Sequence, residues 1–320
     1  MKKYYGLDIL RAAACIGIMA MHMAVNNSYA IGGFIYDRLI PSFTDYVFLF
    51  MAVSAFGMCC GYFEKVMSGK IDWTDFYKKR YGKILPFFVL LIVIDLAVSF
   101  SFSSLCEGLT EVTLLHGFIP QDLSVIGVGW FLGIVFIFYL IFPFFCVMLR
   151  NKRCAWFSFA VSLMLNFICG TYFGLDRWNF VYSLCFFTAG GLVFLYKDTI
   201  EKVKWYFYLP GTLISVFLYY YIGGSTLTRM LVTVFLLMSA VSADFGKNGI
   251  ISFFSGISME FYLSHMFIFR IAEKLGLNTG FGNGWLQYII TVVIVLAGTS
   301  VFSFGFRKIT EKAALLIKQR

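Results

Sequence analysis

Six ionisable residues stand inside stretches that are otherwise apolar enough to lie in lipid: Asp8, Arg11, His22, Asp95, Glu260 and His265. A charge at mid-bilayer costs about 2.5–3.5 kcal/mol even on a permissive insertion scale, so these positions are where chemistry is to be sought. An imidazole can act as a base or a nucleophile near neutral pH. Arg11 and His22 are eleven positions apart in sequence, which on a helix leaves them about 20° apart around the axis and roughly 16 Å apart along it. They share one face. Asp8 precedes Arg11 by three residues, a spacing at which an ion pair along the helix lowers the cost of both charges. His22 and His265 each lie 15 residues after the start of an apolar run, and if both runs point outward the two rings reach similar depth. The alternative is that each ring is simply bonded to a neighbouring backbone carbonyl or hydroxyl. Asp95 and Glu260 suit proton relay or ion pairing. Residues 75–86 read Asp-Phe-Tyr-Lys-Lys-Arg-Tyr-Gly-Lys-Ile-Leu-Pro, either a basic anchor on anionic lipid or a grip for a phosphorylated ligand.

The elements that must position these residues follow from composition. Of the 320 residues, 60% are hydrophobic, 20% aromatic and 13% charged, with a mean hydropathy of +0.82. Too little polar surface remains to cover a water-soluble core, which excludes a cytosolic enzyme, a disordered chain and a disulfide-stapled secreted module. The formal charge of +9 comes without any basic run of the length that nucleic acid would need, so no nucleic-acid partner is expected. A helix crosses the hydrocarbon in roughly 20 apolar residues, and ten such runs lie near residues 7–25, 45–63, 84–102, 128–149, 155–172, 179–196, 205–222, 226–243, 250–272 and 285–306.

Charge orients them. With the N-terminus inside, inner segments hold 20 of the 26 basic residues, outer segments hold Arg38, Arg177, Arg229, Arg270 and Lys274, and Arg11 lies in the first span. The longest outer loop, about 103–127, carries Glu107, Glu111 and Asp122 and no Lys or Arg. The expected fold is all-α: a polytopic membrane protein of about ten transmembrane helices with both termini cytoplasmic, a single domain over 1–320 with no appended soluble domain. Lys2, Lys3 and the triplet Ser28, Tyr29, Ala30 would also fit a cleaved signal peptide, but Asp8 and Arg11 count against it. The eight cysteines show no metal spacing and no disulfide framework, so neither a metal nor a structural disulfide is expected.

Several of these segments resemble the membrane-bound acyltransferase-3 family. Tyr5-Gly6-Leu7-Asp8-Ile9-Leu10-Arg11, with ten residues between Arg11 and His22, is similar to that family's first-span signature. Ser54-Ala55-Phe56 resembles its Ser-Gly-Phe, with Ala in place of Gly. Arg80-Tyr81-Gly82-Lys83-Ile84-Leu85-Pro86 resembles its Arg-x-x-Arg-Ile-x-Pro element, with Lys83 for the second Arg. Trp130-Phe131-Leu132 resembles the opening of a middle span, and Ser258 to His265 resembles a late Ser-to-Tyr-Leu-x-His element. Lys83 departs in kind, because Lys offers a point charge where Arg offers a fork.

The resemblance implies acyl transfer from cytoplasmic acyl-CoA, acetyl-CoA foremost, to a hydroxyl of an extracytoplasmic cell-surface glycan or lipid-linked sugar, at a bacterial plasma membrane, with no tightly bound cofactor. On it, Arg80 and Lys83 meet the coenzyme's phosphates, and Arg11, counted with the catalytic residues, contacts the donor or stabilises the thioester oxyanion. His22 serves as base or as acyl acceptor, His265 assists proton transfer, binds the acceptor or holds His22, and Trp130, Glu260 and Ser54 are substrate-binding candidates. A transporter or flippase for a glycan intermediate is the competing reading, since buried ionisable groups serve transport as well.

Overall fold

Six helices start where a side chain can close off the unpaired N–H groups of a first turn. In the computed structural model, which describes residues 2–119 and 127–318 and side chains to residue 312, oxygens of Asp72, Ser101, Asn151, Asn179, Ser225 and Asn248 accept from backbone N–H groups of the turn they precede. Asp122, counted above in the outer loop, lies outside the described residues.

The chain is all-helical, with no strand among the described residues. The principal helices are α1 (Tyr5–Val25), α2 (Tyr46–Met67), α3 (Trp73–Val98), α4 (Phe102–Val112), α5 (Trp130–Leu149), α6 (Lys152–Thr171), α7 (Phe180–Leu195), α8 (Leu209–Ile222), α9 (Thr226–Ser242), α10 (Gly249–Lys274) and α11 (Gly284–Lys318). Each of the ten expected spans falls on one of them, and α4 is an addition within what was read as an outer loop. Among the described residues, six helices are long and apolar enough to cross a membrane, namely α1, α3, α5, α6, Ile35–Met67 and Gly284–Lys312; α7 and α9 are apolar but shorter. The 26-residue α10 is long enough, yet its serines, Glu260 and His265 dilute its apolar character.

Two boundaries differ from the sequence reading for one reason. The N-cap of Asp72 starts α3 well before its apolar run, so the basic stretch through Lys83 is helical and Pro86 lies inside the helix. α11 likewise continues past Arg307 into its charged tail. Lys, Arg and Glu are good helix formers, so these helices run on beyond their apolar stretches.

The helices gather into two compact units, Met1–Leu10 with Val47–Lys247, and Arg11–Tyr46 with Asn248–Arg320. In the first, α2 and α7 approach so closely that a Cβ on Gly190 would overlap the Ala52 carbonyl, a small-residue contact of the kind that brings membrane helices together. Around it Phe48 stacks on Phe186 at 4.1 Å, and Phe138 on Phe187 at 4.4 Å. In the second, α10 and α11 form a hairpin. A Cβ on Gly298 would lie 2.9 Å from the Ile268 side chain, Ser264 and Ser303 share a hydrogen bond at 3.2 Å, and Arg307 Nη1 donates to the Gly256 carbonyl at 2.8 Å.

Candidate functional site

The second unit brings His22 and His265 together. His22 lies in the last turn of α1 and is half-buried; His265 lies within α10 and is completely buried. Their ring centroids are 5.1 Å apart with planes tilted by 39°. Counting along the two apolar runs placed the rings at one depth, and the fold puts them in contact.

The alternative sequence reading, a histidine bonded to a backbone carbonyl, describes one nitrogen of His265. Its Nδ1 lies 2.6 Å from the Tyr262 carbonyl oxygen. A carbonyl only accepts, so Nδ1 carries the hydrogen, and in a neutral imidazole Nε2 is then a bare lone pair. That Nε2 is buried and has no hydrogen-bond partner among the described residues. An unsatisfied buried acceptor costs about 1–3 kcal/mol, so it marks a place where a donor belongs.

α1 is held from behind at this level. Tyr288 on α11 donates its hydroxyl to the Ala20 carbonyl, and Tyr36 donates to the Ala24 carbonyl, both at 3.0 Å. Two residues before and two after His22, these carbonyls lie about 160° around the helix from it. The braces therefore grip the far side of α1 and leave the His22 face to His265. Tyr29, Tyr36, Trp285 and Tyr288 pack edge to face around them.

Arg11 is half-buried on the same helix. Glu260, on α10, is buried, and its Oε2 has no hydrogen-bond partner among the described residues. In the first unit, Asp8 is buried with Lys3 Nζ at 3.7 Å.

The basic element of α3 divides into two environments. The Arg80 guanidinium sits over three rings, Tyr139 at 5.1 Å, Tyr62 at 5.2 Å and Phe76 at 5.5 Å, and no carboxylate pairs with it among the described residues. Its Nε is buried without a hydrogen-bond partner among the described residues. Lys83, one turn on, is exposed. Trp130 opens α5 and is buried, with the Arg177 guanidinium 5.7 Å from its ring. Ser54 and Asp95 are half-buried on α2 and α3.

One residue escaped the sequence reading. His116 lies in the presumed outer loop, yet it is buried against the start of α5, with Nε2 3.2 Å from the Gly129 carbonyl. Burial holds it below the ordinary imidazole value, and the carbonyls of Gly129 and Glu111 offset part of that. Gly133 makes the approach possible, since a Cβ there would lie 2.6 Å from His116 Nε2. The available signal was His116-Gly117 upstream of a span that opens Gly129-Trp130-Phe131-Leu132-Gly133, glycines where backbones or rings must come close.

Against known families, residues 4–304 match the acyltransferase-3 family, described as an acyltransferase domain. The chain belongs to the acyltransferase-3 family. The match takes in His22, Arg80, Trp130 and His265. With its apolar helices, the chain is a membrane acyltransferase. No curated protein and no solved structure matches it.

Proposed function

We propose that this acyltransferase moves an acyl group, acetyl foremost, from acyl-CoA on the cytoplasmic side of a bacterial plasma membrane to a hydroxyl of a cell-surface glycan or lipid-linked sugar outside. The observation that carries the reading is the paired imidazoles of His22 and His265, one with a bare Nε2, in a chain of this family. A proton-accepting ring is what hydroxyl attack on a thioester requires, and a well-placed base contributes about a hundred- to ten-thousandfold.

On this reading His22 takes the hydroxyl proton as the oxygen attacks the thioester carbon, the carbon–sulfur bond breaks, and the proton passes to the departing thiolate. Arg80 and Lys83 grip the phosphates of the coenzyme. That no carboxylate pairs with Arg80 among the described residues supports that role, while the exposed Lys83 supplies only a point charge. Arg11 contacts the donor, and Ser54, Glu260 and Trp130 contact the acceptor or donor. Transport of a glycan without acylation is disfavoured by the family match.

Mass spectrometry of surface glycans from cells with and without the gene tests the reading. Acyl-bearing sugars should disappear with the gene and return with the wild-type chain. An unchanged spectrum contradicts it.

A further inference from the structure

His265 is buried deeper than His22 and its ring is fixed in one state. The Tyr262 carbonyl at 2.6 Å takes the Nδ1 hydrogen, which leaves Nε2 as an acceptor with no hydrogen-bond partner among the described residues and a second imidazole at 5.1 Å between ring centres. An acceptor nitrogen beside another imidazole has an evident donor, the ring N–H of that imidazole. The helices that carry the two rings are tied to their neighbours. Ser264, the neighbour of His265, ties α10 to α11 through Ser303, and Tyr288 and Tyr36 brace α1 on the side opposite His22.

We propose that His265 is a positioning residue: its Nε2 accepts the ring N–H of His22, so that the other nitrogen of His22 is held unprotonated toward the substrate hydroxyl. This rests on the proposed acyl transfer and on His22 as its base. When His22 takes the hydroxyl proton it becomes an imidazolium with two N–H groups. One still donates to His265 Nε2, which helps to carry the charge; the other delivers the proton to the leaving thiolate. His265 begins and ends the cycle neutral and with the same tautomer. In this arrangement a carbonyl, an imidazole and a second imidazole form a chain in which each member orients the next, the logic by which a buried carboxylate orients the base of a hydrolytic triad.

The test uses the full-length protein in lipid vesicles with acetyl-CoA and surface polysaccharide from cells lacking the gene. His265→Leu keeps apolar bulk and removes the acceptor; His265→Gln keeps an acceptor oxygen near the Nε2 position. The expected result is a fall in kcat of about a hundredfold for His265→Leu, with the KM for acetyl-CoA within about twofold of wild type, and partial rescue in His265→Gln. In nitrogen NMR of ring-labelled histidine, His22 should show one fixed tautomer in the wild type and a tautomer mixture in His265→Leu. A role in packing alone predicts that Leu is tolerated at least as well as Gln, and that result overturns the proposal, as does an unaltered His22 tautomer in His265→Leu. Full activity in His265→Leu while His22→Ala is inactive overturns the assignment of His265 and leaves the acyl-transfer reading intact. Full activity in His22→Ala overturns both.

Discussion

At the scale of single residues, the contrast between Arg80 and Lys83 shows how burial decides what a charge can do. Three aromatic faces carry the Arg80 guanidinium, each such contact contributing about 0.5–2 kcal/mol depending on exposure. Those faces hold its plane without consuming its hydrogen-bond donors, which remain for an anion. Arg80→Lys should therefore raise the KM for acetyl-CoA by about tenfold with kcat little changed, since Lys cannot reproduce the fork. Steady-state kinetics in vesicles would check this, and an unchanged KM would leave Arg80 a lipid anchor. Some of the geometry around these residues was legible at this scale. The spacing of Arg11 and His22 becomes a shared face because helix geometry converts sequence distance into angle. The pinned tautomer of His265 was not legible, because no spacing rule says which nitrogen meets the Tyr262 carbonyl. His116 was hidden because it lies between apolar spans, in a segment where no helical period marks which side chains turn inward.

Elements set how firmly those residues are held. The hydroxyl of Tyr288 reaches from α11 to the Ala20 carbonyl on α1, a bond between segments far apart in sequence. Tyr288→Phe keeps the ring packing and removes that bond, so it should lower kcat by about threefold to tenfold, equivalent to the roughly 0.5–1.5 kcal/mol of one net hydrogen bond, while protein abundance is unchanged. Loss of abundance with unaltered kcat would make the bond purely structural.

The turn around His116 makes a different prediction. Burial lowers its folded value from the unfolded value of about 6.5, so the unfolded chain binds the proton more readily. The stability that neutral His116 contributes is complete above about pH 6.5 and is lost as pH falls through the lowered folded value. Thermal unfolding in detergent should show a melting temperature that drops on acidification below that pH, and His116→Gln should flatten part of the drop. An identical acid slope in the variant would contradict it. The positions of the helices were readable because about 20 apolar residues are a strong signal. Their starts were not, because a single capping oxygen such as that of Asp72 extends a helix into water without any apolar mark.

For the whole molecule, charge asymmetry gives the orientation that the helices alone do not. Two exposed cysteines lie on sides that the basic residues assign oppositely, Cys106 on α4 and Cys154 at the start of α6. A membrane-impermeant maleimide applied to intact cells should label Cys106 and leave Cys154 unmodified until the membrane is opened. Labelling of Cys154 in sealed cells would invert the topology and, with it, the side from which the donor arrives.

The most direct measurement follows the acyl group itself. Sealed vesicles holding isotope-labelled acetyl-CoA on the face that bears Arg80, with glycan acceptor on the other, should pass label to the glycan with the wild-type chain. His22→Ala, inserted at equal abundance, should pass none above background. Label crossing at the wild-type rate in that variant, or never reaching the glycan with the wild-type chain, would contradict the account.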